Sequence, residues 1–222
     1  MQQIGSEEWI AAVIEGASRL GHTVTKDQAR QMALHAQLLI EWNRRVNLTA
    51  ITDPMGVAVK HCLDAIAPLH LLPDEGALLD IGTGGGFPGI PLKILRPDLS
   101  MTLIDSVRKK ISFVNHVIRQ LKLLQIEALH VRAQSLALQE SHKGRYTAIV
   151  CRALSDLKSA LQLALPLLAP QGRVIAYQGP NEPFVDKVIG SDMGRRFLPI
   201  ERVSYRLPFL GDERKLAVLQ KI

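Results

Sequence analysis

The most constraining stretch of the chain is LLDIGTGGGFPGIP, residues 78–91. It begins as an apolar run typical of a buried strand, and four glycines follow within five positions, at 82, 84, 85 and 86. Glycine adopts positive φ at little cost and lets a ligand approach the backbone closely. Apolar residues at helical spacing continue to Leu95, so the stretch predicts a strand, a tight turn and a helix. Nucleotide-like ligands bind at such turns in open α/β sheets.

Two cofactor patterns match this turn. Gly84, Gly86 and Gly89 satisfy GxGxxG, the pattern of dinucleotide sites. The order acid-x-Gly-x-Gly-x-Gly, seen where S-adenosylmethionine (SAM) binds, is satisfied by Asp80 and the glycines from Gly82 to Gly86. A carboxylate at the end of the strand suits a sulfonium and repels a pyrophosphate. Prolines at positions 88 and 91 also remove N–H donors that a phosphate site would use, so the turn favours SAM.

A second acid supports a nucleoside cofactor. The run SMTLIDS, residues 100–106, predicts a short strand that ends at Asp105, 23 residues after Gly82. An acid about 20 residues beyond the glycine turn is where ribose hydroxyls are held. We therefore expect Asp105 to accept the ribose hydroxyls of the cofactor.

Length and composition indicate a globular protein with one substantial core, because the chain has 222 residues and 47% hydrophobic content. No run of about 18 apolar residues occurs, and the N-terminus lacks the basic and then apolar order of a signal peptide. We expect a cytoplasmic protein without a membrane segment. Cys62 and Cys151 cannot form a CxxC metal site; they predict buried apolar positions, and no metal is expected.

Charge is distributed unevenly along the chain. Residues 1–76 hold 6 Lys and Arg against 9 Asp and Glu, a net of −3, whereas residues 77–222 hold 21 against 12, a net of +9. The basic part also contains the glycine turn, which suggests a polyanionic substrate. Ordinary solubilising charge on exposed helix faces explains the asymmetry about as well.

The first 70 residues predict helices. Residues 6–20 and 26–46 carry apolar stripes at helical spacing, with Thr25 as a cap of the second helix. His35 lies beside the second stripe, and we expect it at the edge of the core rather than as a ligand. We predict a helical extension over residues 1–70 and a SAM-binding domain over residues 71–222.

Polar residues are dense just before the glycine turn. Asn47 lies in a predicted turn after the second helix, and His61 and Asp64 lie three residues apart, on one face of the next helix. Together with Lys60, these groups are candidates for contact with a substrate. A capped helix in which His61 and Asp64 hold each other explains them at least as well.

Beyond Asp105, helices and strands alternate. The pattern predicts helices over residues 106–124 and 157–172, and strands at about 127–131, 146–151 and 173–179. The runs ERVSYRLPFL and ERKLAVLQKI, joined by a Gly-Asp turn, predict an antiparallel pair at the sheet edge. The expected fold class is therefore α/β, with a Rossmann-like, mostly parallel sheet and a C-terminal hairpin, which fits a plain dinucleotide fold less well.

With these features, the chain resembles class I SAM-dependent methyltransferases. More closely, it resembles the RsmG (GidB) family, bacterial enzymes that methylate N7 of a guanosine in small-subunit (16S) rRNA. The segments that carry the resemblance cover most of the chain: WNRRVNLTAI (42–51), KHCLDA (60–65), LLDIGTGGGFPGIPLKILRPD (78–98), TLIDSVRKKISFV (102–114), CRAL (151–154) and ERKLAVLQK (213–221). The resemblance implies SAM as cofactor and 16S rRNA or the small ribosomal subunit as partner. We expect a monomer.

The resemblance also implies cofactor contacts beyond the acids and Gly84. The corresponding positions are Gly82, Phe87, Ala133, Gln134 and Arg152. By this correspondence Gly82 lets the methionine part approach the backbone, and residues 133 and 134 lie where the adenine edge would be read. The chain departs from the usual family pattern at three positions, with Gln134 in place of a glutamate, Gly85 in place of a frequent proline, and Ala65 in place of a common serine.

Two other functions compete with rRNA methylation. A nicotinamide-dependent oxidoreductase would use the glycine turn as a dinucleotide site, and a nucleic-acid-binding regulator would use SAM only as a signal. For methylation at guanine N7 no general base is needed, because N7 has an in-plane lone pair and no proton at neutral pH. Asn47, His61 and Asp64 are then candidates for positioning rather than for proton abstraction.

Overall fold

The computed structural model describes residues 3–152, 157–179 and 194–222. Within these ranges one sheet has the strand order β3-β2-β1-β4-β5-β7-β6. Strands β1 to β5 run parallel, whereas β7 is antiparallel to both β5 and β6. The strands are β1 Ala77–Ile81, β2 Ser100–Asp105, β3 Ile126–His130, β4 Tyr146–Cys151, β5 Leu168–Gln178, β6 Phe197–Arg206 and β7 Glu213–Lys221. The predicted parallel sheet with a C-terminal antiparallel hairpin is confirmed.

Helices flank the sheet on both faces. They are α1 Glu7–Arg19, α2 Lys26–Asn43, α3 Pro54–Gly56, α4 Asp64–Ile66, α5 Gly89–Leu95, α6 Arg108–Gln120, α7 Ala133–Leu136 and α8 Leu157–Ala164. A π-helical segment, Val57–Leu63, joins α3 to α4. The predicted cap of α2 is present, because the Thr25 hydroxyl accepts the Gln28 N–H in a capping box. Asp53 caps α3 in the same way by accepting the Gly56 N–H.

The sheet separates two apolar clusters, because alternate residues of a strand point to opposite faces. On one face, Leu78 of β1 and Leu103 of β2 pack with α1, α2, α5 and α6. On the other face, Leu79 and Ile104 pack with α7 and α8. The helices of the first 70 residues thus share a core with the glycine-turn side of the sheet. The domain boundary at residue 70 stays a prediction.

Some predicted boundaries were wrong. The helix expected over 157–172 ends at Ala164, because Pro166 cannot donate a helical hydrogen bond, and β5 already begins at Leu168, which pairs with Tyr146. Residues 133 and 134, which lie outside the predicted helices, begin α7. Cys62 and Cys151 are buried, as predicted, and form no disulfide. No helix in the described ranges has the length and hydropathy needed to cross a membrane.

Candidate active site

The glycine turn follows β1 and is held by the end of β2. The N–H groups of Gly82 and Thr83 both donate to the Ile104 carbonyl, at 2.9 and 3.0 Å. Gly84 has φ 57°, and a Cβ atom at this position would find Gly82 O, 3.9 Å away, as its nearest neighbour. A glycine is therefore needed here for its backbone conformation and leaves open space that a ligand can enter.

A cavity of about 600 Å³ opens above this turn, at the carboxyl edge of the parallel strands. Small-molecule and cofactor sites typically have volumes of about 300 to 1,000 Å³. Seven of the eight predicted cofactor contacts line the cavity: Gly82, Gly84, Phe87, Asp105, Ala133, Gln134 and Arg152. The structure therefore brings together residues that are up to 70 positions apart in the sequence. Their contact with a cofactor stays a prediction.

Asp80, the eighth predicted contact, lies beneath the turn and not on the cavity wall. Its side chain is fully buried, and its Oδ2 atom accepts the Gly89 N–H at 2.9 Å, so it holds the first residue of α5. Burial raises the pKa of Asp80 to about 6, although the Gly89 hydrogen bond acts in the opposite direction. Asp80 therefore stabilises the end of the glycine turn through Gly89 and does not face the cavity.

Asp105 connects the turn to the start of α6. Its Oδ2 atom accepts the Gly84 N–H at 3.1 Å, and its Oδ1 atom accepts the Val107 N–H at 2.8 Å. Lys110 Nζ lies 3.8 Å from Oδ2 and also lines the cavity. An ionised carboxylate has about four acceptor directions, so Asp105 can still accept ribose hydroxyls. Lys110 had not been singled out in the sequence.

The residues expected near the adenine lie at the start of α7. Ala133 is buried and Gln134 is exposed, and both line the cavity. Thr83 also lines the cavity, and its hydroxyl is buried near the Asp80 carboxyl group. A small buried residue, an amide and a hydroxyl fit a polar nucleoside cofactor such as SAM.

Two histidine rings enclose Phe87. The Phe87 ring centroid lies 4.4 Å from that of His35 and 4.7 Å from that of His61, at interplanar angles of 17° and 18°. The position expected for His35, at the edge of the core, was wrong, because its side chain is fully buried. Burial lowers the pKa of His35 to about 4. Burial, together with the nearby Arg152 and His35, lowers the pKa of His61 to about 3, so both rings are neutral at pH 7.

A polar network forms the wall opposite Asp105. Arg152 donates to the Lys60 carbonyl at 3.0 Å and to Asp64 Oδ2 at 3.3 Å, and its Nη2 atom faces His61 Nδ1 at 3.5 Å. The Tyr205 hydroxyl donates to Asp64 Oδ1 at 2.7 Å. His61 and Asp64 therefore meet through Arg152. Of these two, only His61 lines the cavity.

The loop that carries Asn47 is shaped by Asn43, a residue that sequence reasoning missed. Asn43 Oδ1 accepts the N–H groups of Leu48 and Thr49, and Nδ2 donates to the Thr49 carbonyl at 2.9 Å. Its capping side chain at the predicted helix end was the available signal. Leu48 and Thr49 line the cavity, whereas Asn47 is exposed and, within the described chain, its side chain has no hydrogen bond.

Several exposed cations lie on or close in sequence to residues that line the cavity. We call this set the basic rim: Arg44, Arg45, Arg108, Lys109 and Arg132. Each is a cavity-lining residue or lies within four positions of one. Part of the positive charge of the chain therefore lies in the segments that form the cavity wall.

The fold and the site define a class I methyltransferase, with a glycine turn and a strand-end acid at the carboxyl edge of a parallel sheet that closes with an antiparallel strand. The family model described as GidB, rRNA small subunit methyltransferase G, matches residues 28–183, and the chain belongs to this family. The comparisons give no support to a nicotinamide-dependent oxidoreductase.

Related proteins are similar over nearly the whole chain. The chain is 40% identical over 213 residues to ribosomal RNA small subunit methyltransferase G of Geotalea uraniireducens (strain Rf4), which covers 95% of both chains. It is 41% identical over 210 residues to the protein of the same description from Geobacter sp. (strain M21), covering 92% of this chain and 94% of that protein. A crystal structure described as a predicted O-methyltransferase from Agrobacterium tumefaciens matches 71% of this chain and 80% of its own, with a TM-score of 0.58 at 17% identity, and this likeness shows the fold.

Proposed function

We propose that the protein transfers a methyl group from SAM to N7 of a guanosine in small-subunit (16S) rRNA. Membership of the GidB family supports rRNA methylation by a cytoplasmic enzyme. The observation that carries the proposal is the open space at Gly84, whose N–H is held by Asp105 at the floor of the cavity. The proposed partner is 16S rRNA or the small subunit, bound by a monomer.

The chemistry fits a site without a general base. SAM supplies a methyl group on a sulfonium centre, and guanine N7 offers a lone pair without a proton to remove. The C–S bond breaks as the C–N bond forms, leaving S-adenosylhomocysteine and a cationic base. The chain's task is alignment, for which ordering two reactants can be worth about 7 to 11 kcal/mol. Asp105 and the turn would hold the nucleoside part, while the neutral His61 and the Arg152 network would shape the wall beside the target base.

The basic rim supports RNA as the substrate. Its exposed guanidinium and ammonium groups can pair with phosphates on both sides of a base inserted in the cavity, releasing counterions. Affinity for RNA should then fall about tenfold or more between about 50 and 200 mM salt, whereas affinity for SAM should hardly change. Equal salt dependence of the two ligands would contradict an RNA-binding rim.

The experiment is a tritiated-SAM assay on 16S rRNA, small subunits and tRNA, followed by chemical cleavage at N7-methylguanosine. We expect label in 16S rRNA or in the subunit, with cleavage at one position. The double variant Arg44→Gln/Arg45→Gln should bind RNA more weakly at low salt and keep its affinity for S-adenosylhomocysteine. Arg119→Gln, in the last turn of α6, is the matched control and should behave as the wild type. Labelling of tRNA alone, or no label in any RNA, would overturn the proposal.

A further inference from the structure

His35 belongs to an N-terminal helix, yet its ring touches the backbone of the glycine turn. His35 Nε2 lies 2.7 Å from the Gly85 carbonyl oxygen, which is 50 residues away in the chain. A carbonyl oxygen only accepts, so the proton of the neutral ring is on Nε2. One helical turn later, Leu39 also meets Gly85, since its Cδ1 atom lies 2.8 Å from where a Cβ would stand. Helix α2 therefore fits closely against the back of the turn.

The other ring nitrogen of His35 makes no hydrogen bond to the turn. Nδ1 of His35 is buried and has no hydrogen-bond partner among the described residues. A buried polar atom without a partner lowers stability, and a leucine or phenylalanine would fill the same position on the apolar stripe without this cost. What the imidazole adds over an apolar side chain is the Nε2–H group that binds Gly85.

The same ring fixes the next part of the turn. Its face stacks on Phe87, which lines the cavity, while His61 stacks on the Phe87 ring as well. A Cβ at Gly86 would also lie only 3.2 Å from His35 Nε2. One side chain of α2 thus contacts three consecutive turn residues through a hydrogen bond, a close backbone approach and a ring stack.

We infer that His35 is a positioning residue of the cofactor site, which sets the backbone of the turn at Gly85 and the ring of Phe87 from behind the cavity. The inference rests on the proposed function, since it assigns this geometry to SAM binding. It gives α2 a direct part in cofactor affinity, although the cofactor-binding turn lies outside the N-terminal helices. The part of the role that acts through Gly85 depends on the N–H donor and not on ring volume.

Three variants separate positioning from packing. His35→Phe keeps an aromatic ring and removes the donor together with the unpaired Nδ1. His35→Gln keeps an N–H donor at about the reach of Nε2 and loses the ring. Met32→Leu, one turn earlier on the same buried stripe, is the control for a change in core packing. Affinity for S-adenosylhomocysteine is measured by calorimetry, and the free energy of unfolding by urea titration.

The two measurements should move in opposite directions. We expect His35→Phe to bind S-adenosylhomocysteine about tenfold more weakly while its stability is kept or raised, because one hydrogen bond is lost and a buried unpaired atom is removed. His35→Gln should be the less stable variant and should bind within about threefold of the wild type. If affinity follows stability across the series, or if His35→Phe binds normally, His35 is only a packing residue.

Amide hydrogen exchange tests the turn without any cofactor. The N–H groups of Gly86 and Phe87 both donate to the Thr83 carbonyl, so their exchange reports on the shape of the turn. In His35→Phe these amides should exchange faster, while those of β5 stay unchanged. Unchanged exchange at Gly86 and Phe87 would overturn the positioning role. If wild-type protein fails to bind S-adenosylhomocysteine but the exchange result holds, the proposed function fails and the link between His35 and the turn stands.

Discussion

The Thr49 hydroxyl oxygen lies 2.8 Å from His61 Nε2, and this contact joins the loop after α2 to the π-helical segment on the cavity wall. Arg152 faces Nδ1 of the same ring and can only donate, so Nε2 carries the proton and donates to Thr49. Neither nitrogen is then free to accept a proton from a substrate. A π-helical segment is often found at a functional site, and this one carries His61 on the cavity wall.

Thr49→Val should weaken activity through His61. Valine has the shape of threonine without the hydroxyl oxygen, which accepts from His61 Nε2 and from the Ile51 N–H. The buried His61 donor would lose its partner at a cost of about 1 to 3 kcal/mol. We expect methylation to slow by about tenfold or more, which corresponds to about 1.4 kcal/mol. Thr49→Ser keeps the hydroxyl and should remain close to the wild type. Equal rates for the valine and serine variants would show that the contact has no role in activity.

Gly84→Val should abolish binding of S-adenosylhomocysteine. The new side chain would occupy the cavity, and the positive φ would cost about 1 to 2 kcal/mol of stability. Gly21→Val is a matched control, because Gly21 has φ 79° with open space around it and does not line the cavity. Both variants should lose similar stability, and Gly84→Val alone should lose affinity. Normal binding by Gly84→Val would mean that the turn is only structural.

The sequence predicted the sheet and the turn because their signals are local. Four glycines after an apolar run, and a Gly-Asp turn between two strand-like runs, indicate their structure without knowledge of the rest of the chain. The side-chain direction of Asp80 depends on its position in β1. Alternate strand residues share a face, so Asp80 points to the same face as Leu78, which α5 covers. Its carboxyl group therefore binds the start of α5 and does not line the cavity.

His35 and Asn43 show why part of the site could not be read from the sequence. The contact of His35 with Gly85 spans 50 residues, and helical spacing places the ring only near an apolar stripe. Asn43 ends α2 three residues earlier than predicted, since its side chain binds the backbone of the following loop. The His35 contact depends on how α2 packs against the turn, which no local pattern encodes. The Asn43 contacts are local, so its side chain was a signal for the earlier helix end.

Arg152→Ala should reduce methylation at least tenfold, by about 1.4 kcal/mol or more, because its guanidinium joins the Lys60 carbonyl to Asp64 beside the cavity. Removing it leaves Asp64 buried with the Tyr205 hydroxyl as its close partner. Arg152→Lys should recover little, since an ammonium cannot reproduce the planar donors. Arg119→Ala, on the exposed end of α6, should have wild-type activity. Similar losses of activity in the Arg152 and Arg119 variants would contradict a specific role for Arg152 at the end of β4.

Stability should depend on pH through His35. The folded pKa of about 4 lies below the unfolded value of 6.5, so between these values the unfolded state binds a proton that the folded state does not. The free energy of unfolding therefore falls by about 1.4 kcal/mol per pH unit from this residue as the pH drops from 6.5 towards 4. His61 acts in the same direction, and Asp80, with a pKa raised to about 6, opposes it.

Comparison with His35→Phe reports this contribution together with the small part of the His61 shift that His35 causes, since the remaining groups are shared. Urea titrations at several pH values should show the wild type losing stability relative to His35→Phe by about 1.4 kcal/mol per pH unit between about pH 6.5 and 4. The difference between the two proteins should be constant above pH 7. A constant difference over the whole range would mean that His35 titrates normally in the folded state.

The methyl-transfer step should proceed without a general base. Under saturating SAM and RNA, the single-turnover rate should vary little between about pH 6.5 and 8.5, where a base with an ordinary histidine pKa would show a rise. Because the pKa of His61 is lowered to about 3, this residue would be unprotonated over the whole range. A flat profile alone therefore does not exclude His61 as the base. The variant His61→Gln makes the distinction, because its amide can still donate to Thr49. We expect it to keep the rate within about tenfold, whereas loss of a true base costs about 10² to 10⁴-fold. A loss of that size, with binding of RNA and of S-adenosylhomocysteine unchanged, would make His61 the base and overturn the mechanism.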